Sequence, residues 1–117
     1  MNEQQASGKL AVIGFMSLAD FEAELEDCRD PSPVRVDMYH RSARDRNFPI
    51  ERFTFLVEAA FRAGGEVYVC RFVVARCEVM RGHDGDQEKY NKARRRAERI
   101  ATALHALLEQ QGYDVRA

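Results

Sequence analysis

The chain has 117 residues, 45% hydrophobic and 32% charged, proportions that exclude a disordered tail or a collagen-like repeat and fit one folded domain. Its 18 basic and 19 acidic side chains leave a net charge of -1, so no overall field marks it as a nucleic-acid or membrane binder. The longest apolar stretch, Leu10 to Met16, is too short to span a bilayer and has no signal-peptide flanks, so a cytoplasmic protein without membrane contact is expected.

Residues 1–15 open with the polar run MNEQQASGK and continue into LAVIGF, which reads as a mobile N-terminal extension whose apolar part docks as an extended segment. The domain proper is expected over 16–117. From Ser17, Leu18, Phe21, Leu25 and Cys28 recur at three- and four-residue steps and predict a helix with one apolar face. Ser17 caps it, with Asp20 in the third helical position, and Asp30-Pro31-Ser32-Pro33 ends it. Val34, Val36 and Met38 alternate with Arg35, Asp37 and Tyr39 as a short strand, and 41–49 reads as a charged loop.

Two longer strands, about 51–62 and 66–79, are joined at Gly64-Gly65, a dipeptide suited to the positive backbone angles of a two-residue hairpin turn. With that turn, one face pairs Phe61 with Tyr68, Ala59 with Cys70, Val57 with Phe72 and Phe55 with Val74. The other pairs Ala60 with Val69, Glu58 with Arg71, Leu56 with Val73 and Thr54 with Ala75. The first face is wholly apolar, and the charges on the second oppose one another with opposite sign. A slip by one residue would set charge against hydrocarbon.

Residues 81–86 read as a turn in which Asp84 or Asp86 caps a long helix running to about Gln111, stopped by Gly112. Its apolar seam is Tyr90, Ala93, Ala97, Ile100, Leu104 and Leu107, and 113–117 makes a last short strand. The fold expected is a single α+β domain of order αβββαβ, an antiparallel-rich sheet with the long helix on one face. Cys28, Cys70 and Cys77 form no CxxC pair, and their odd number suits a reducing compartment. Alternation over seven residues would point Cys70 and Cys77 to opposite faces, away from a shared metal. His40, His83 and His105 sit in three different elements, and no phosphate loop or nucleophile elbow appears, so neither metal nor cofactor is expected.

The order αβββαβ over residues 17–117 resembles the core arrangement of the PD-(D/E)XK nuclease fold. That resemblance implies a carboxylate on the second core strand and an acid-x-Lys triplet on the third, holding a divalent metal. Glu58 would stand for the first carboxylate. Val69-Cys70-Arg71 departs from the triplet, lacking the acid and carrying Arg for Lys, a group too basic to take a proton near neutral pH.

Two constellations remain. Asp86 to Arg99 holds six basic residues against three acids. Of these Lys92, Arg94, Arg95 and Arg99 are candidate phosphate contacts, unless the acid-rich stretch 20–30 lies against them. Asp37, Glu58 and Arg71 form a candidate polar cluster on the sheet, joined by His40 if the protein is an enzyme of hydrolase type. The hairpin is apolar on both faces, more than two helices cover, so a homodimer is expected unless residues 10–16 fold over the open face. The leading expectation is a non-catalytic binding or assembly protein that self-associates. The alternatives are a nucleic-acid-associated protein with a degenerate nuclease-like core and a small hydrolase acting near Asp37, Glu58 and Arg71.

Overall fold

In the computed structural model, residues 11–44, 49–80 and 84–117 are described. The elements are β1 (Ala11–Met16), α1 (Leu18–Asp27), β2 (Val34–Arg44), β3 (Ile50–Ala63), β4 (Glu66–Met80), α2 (Asp84–Gln110) and β5 (Val115–Arg116). They form a single α+β domain around a mixed five-stranded sheet of order β1-β4-β3-β2-β5. The two central pairings are antiparallel, and the short strands β1 and β5 flank them in parallel. From Ser17 onward this is the expected order. The extended docking expected of the apolar N-terminal segment is seen for Ala11–Met16, which lines up beside Glu66–Cys70 of β4. It lengthens the sheet at its edge and does not fold across the face. Residues 1–10 lie outside the described residues.

Local chemistry accounts for the element ends. Ser17 Oγ accepts from the Asp20 amide at 3.1 Å, the short capping arrangement its sequence predicts. Beyond α1, Ser32 is clasped to β3: its hydroxyl accepts from the Arg62 amide at 2.7 Å, and its own amide donates to the Arg62 carbonyl at 2.9 Å. The helix ends at Asp27, with Cys28 already extended, before the Asp30–Pro33 stretch expected to stop it, and this clasp sets where β2 begins. At the other end of α2, Gly112 takes φ +95°, while Gly112 N donates to Glu109 O and Tyr113 N to Leu108 O, a Schellman stop. Asp86 does not cap α2; its Oδ2 accepts from the Met80 amide at 2.6 Å and ties the end of β4 to the helix start. The histidine of the expected turn, His83, lies outside the described residues.

β2 is longer than its alternation suggests. Met38 to Arg44 stay in antiparallel register with Val57 to Glu51, so residues 41–44 of the expected loop are strand. The ladder to β3 holds them there, helped by an Arg44–Glu51 contact at 3.7 Å. The hairpin register holds from Ala63–Glu66 through Leu56–Val73 and then shifts by one: Phe55 faces Ala75 and Thr54 faces Arg76. The expected Phe55–Val74 and Thr54–Ala75 pairs do not form, because Val74 is the extra residue of a β-bulge.

Both helices lie on the same face of the sheet, and the domain is 19 Å thin along its shortest axis, the depth of two layers. The main core joins Phe21 and Leu25 of α1 to Val34, Val36, Val57, Ala59, Phe61 and Cys70 of the sheet and Leu104 and Leu108 of α2. Phe61 meets Phe21 edge-on at 5.2 Å and stacks on Tyr68 at 4.8 Å. A second core gathers Phe55, Ala93 and Ala97, with Met38, Phe53, Val74, Ala75, Cys77 and Tyr90 against it. The helix seam differs at one residue: Leu108 is fully buried and Leu107 is 40% exposed. A four-residue step from Leu104 keeps the contact facing the core where α2 passes over β2.

Gly64 and Gly65 take φ +59° and +80° with open space around both. Replacing the pair by Val-Val is expected to cost roughly 1–3 kcal/mol, since branched side chains resist positive φ. An unchanged thermal midpoint would show that the turn does not depend on these angles.

Candidate functional site: a basic groove

The bulge at Val74 builds the site. Before it, Tyr68, Cys70, Phe72 and Val74 face the helices; after it, Ala75 and Cys77 do so as well, because one extra residue reverses the alternation. Cys70 and Cys77 therefore share a face, contrary to simple alternation, although the strand between them keeps them far apart. The bulge leaves the Val74 carbonyl for a partner, and Arg96 Nε of α2 donates to it at 2.9 Å. Small side chains at Ala93 and Ala97 let α2 lie close over Phe55. The small-residue seam of α2 is thus used within the fold.

Beside this contact a groove of about 830 Å³ runs between the first half of α2 and the far end of the hairpin. Among the described residues, Phe53, Ala75, Cys77 and Ala93 line it with Lys89, Lys92, Arg96 and Arg99 of α2, while Arg52, Thr54, Arg76 and Glu78 border it from strands whose alternation turns their side chains to the opposite face. Arg52 lies 3.5 Å from Glu78, and Lys89 lies 3.2 Å from Asp86. Arg76, Lys92 and Arg99 form no ion pair among the described residues. Beyond Cys70, β4 has no β1 partner among the described residues, so one wall of the groove is a strand edge.

Of the four basic positions singled out in the sequence, Lys92 and Arg99 line the groove. Arg94 does not; it is paired to Glu98 within the helix at 3.0 Å, and Arg95 is exposed away from the groove. Sequence reasoning missed Lys89 and Arg96 as members. The 3-4-3 spacing of Lys89, Lys92, Arg96 and Arg99 carries the signal for one helix face. Arg76 borders the groove from the strand, but the bulge that brings Ala75 and Cys77 to the helix side turns its side chain to the other face. The acid-rich α1 does not cover these charges. Its Glu22 accepts from Gln111 Nε2 at 3.2 Å, beside the opposite end of α2, and none of its acids pairs with α2 cations among the described residues.

The second predicted cluster does assemble. Asp37, Glu58 and Arg71 are successive partners across β2, β3 and β4, on the face away from the helices. Arg71 Nη2 contacts Glu58 Oε2 at 3.4 Å with both side chains about three-quarters buried, and its guanidinium lies 5.6 Å from the Tyr39 ring centre. Leu56 and Val69 are buried around this row, whereas Val73 is 42% exposed. His40 is elsewhere. It projects from the helix face into an aromatic group with Phe53, Phe55 and Tyr90, its Nδ1 3.5 Å from the Tyr90 hydroxyl. The four-residue site expected for a hydrolase is split between two faces. The remaining polar row lacks the second acid and the lysine that the nuclease resemblance implies, and no group of three or more metal-ligating side chains occurs among the described residues.

Comparison with known protein families, with curated proteins and with solved structures returns no match to this chain. No helix among the described residues is long and apolar enough to cross a membrane.

Burial pushes up the thiols of Cys70 and Cys77, with Lys89 pulling Cys77 partly back, and burial followed by the Glu24 and Asp27 charges raises Cys28. A raised pKa lowers the thiolate fraction near pH 7.5 and slows alkylation. All three cysteines are expected to react with iodoacetamide more slowly in the native protein than in the denatured chain, and Cys70, almost fully buried, slowest of all. Mass spectrometry after timed labelling reads the order. Rapid native labelling of Cys70 would contradict this packing.

Proposed function

We propose that this is a non-catalytic binding protein whose groove between α2 and the β3–β4 hairpin holds the phosphates of a nucleic acid. The observation that carries this reading is the charge of an open groove: four cations on one helix face, Lys89, Lys92, Arg96 and Arg99, among the described residues of a chain whose net charge is -1. The acidic helix that would have neutralised them is packed at the other end of α2. An apolar lining beneath charged side chains strengthens each phosphate contact by keeping water away from it.

Affinity for nucleic acid is expected to fall steeply with salt, since each neutralised phosphate releases counterions. Substituting Lys89, Lys92 and Arg99 together with Ala is expected to reduce the log–log salt slope by about 2–3. The matching triple change of Arg94, Arg95 and Arg116 leaves the groove intact and is expected to alter the slope less. A slope unaffected by the groove substitutions would reject the groove as the binding site.

A second reading, self-association, rests on the sheet face away from the helices. Around its Glu58–Arg71 pair Leu56 and Val69 are buried, and Val73 stands 42% exposed beside them. β1 extends the sheet without covering that face, and a twofold partner is the commonest cover for such a surface. Light scattering at micromolar concentration is expected to give twice 13.4 kDa, and Val73→Lys to return it to the single-chain mass. A single-chain mass for the unaltered protein would reject the dimer.

A further inference from the structure

The cations of the groove stand along one wall, with Lys89, Lys92, Arg96 and Arg99 on α2. Beside them the surface is apolar: Phe53, Ala75, Cys77 and Ala93. A duplex carries its phosphates on a convex exterior and keeps its bases stacked within. Laid on this groove, it would touch the rim and leave the apolar surface unfilled. A single strand turns its bases one way and its phosphates the other, and so satisfies both kinds of surface. The volume of about 830 Å³ lies inside the range of roughly 300–1,000 Å³ that encloses small organic ligands, room for a few bases and not for a double helix.

One aromatic is placed to receive a base. Phe53 lines the groove, half-buried, with its ring near-perpendicular to those of Tyr90 at 4.9 Å and His40 at 5.4 Å. A ring fixed by packing loses little freedom when a base stacks on it. We infer that the groove takes single-stranded nucleic acid, with a base against Phe53 and the flanking phosphates on Lys89, Lys92 and Arg99. This rests on the nucleic-acid reading above and narrows it to one class of substrate. Stacking serves every base, so the preference is for strandedness and not for sequence.

Fluorescence anisotropy of the full chain with a labelled 15-nucleotide strand and with the duplex of the same sequence, at equal salt, tests the inference. The single strand is expected to bind at least about tenfold more tightly. Phe53→Leu, which keeps the site apolar and removes the flat ring, is expected to weaken the strand about fivefold or more and leave the duplex unchanged. Lys92→Ala is expected to weaken both. In the unaltered protein, photo-crosslinking of a strand carrying 5-iodouracil is expected to map to Phe53, a measurement that does not depend on how the variant folds. Equal or tighter duplex binding that is still lost with Lys92→Ala overturns the single-strand inference and leaves the nucleic-acid reading standing. Crosslinks mapping outside the groove overturn the inference, and binding of neither probe at low salt overturns both.

Discussion

The bulge at Val74 is the constraint on which the rest of this molecule hangs. A two-stranded ribbon with unbroken alternation would turn Ala75 and Cys77 away from α2, and the second core would lose half of its floor. One extra residue restores them to the helix side. It also leaves a carbonyl for Arg96, so the same defect that re-aims the strand anchors the helix above it. A net contribution of about 1 kcal/mol is usual for such a hydrogen bond, but its larger effect is geometric. It fixes α2 against the hairpin at the point where the groove opens.

Much of this architecture was legible in the sequence, and what was not has definable causes. Ser17, Phe21 and Leu25 announced α1 because capping and a 3.6-residue period are local properties. Gly64-Gly65 with opposed apolar pairs announced the hairpin and its register as far as Leu56–Val73. The bulge escaped, since no glycine or proline marks it and only the partner strand and Arg96 define it. Residues 41–44 looked like loop because polar residues on a sheet edge do not alternate in hydrophobicity. Their strand character comes from the ladder with β3. For the site, composition pointed to the right helix and not to the right face. Arg94 and Arg95 read as strongly as Lys92 and Arg99, and only the position of the sheet separates them.

The two faces of the sheet solve different problems. On the helix side, apolar burial dominates and polar groups are confined to the margins. On the other, Asp37, Glu58 and Arg71 form a row through the centre of three strands, with the Tyr39 ring beneath the guanidinium. A charge pair so far inside its own surroundings contributes little to stability once its loss of hydration is counted. It does fix register, because any slip of β3 on β4 separates Glu58 from Arg71.

The charges along α2 and α1 give the nearly neutral chain two poles. Acids gather on α1 beside the C-terminal end of α2, and cations gather along its first half. A helix of 27 residues is about 40 Å long, several times the roughly 8 Å over which charges act in physiological salt. Each pole therefore meets its surroundings separately, and the net charge describes neither. Near a polyanion the acidic end is turned away and the basic end drawn in. The protein thus behaves as an oriented body, and the direction of approach is selected before any contact forms.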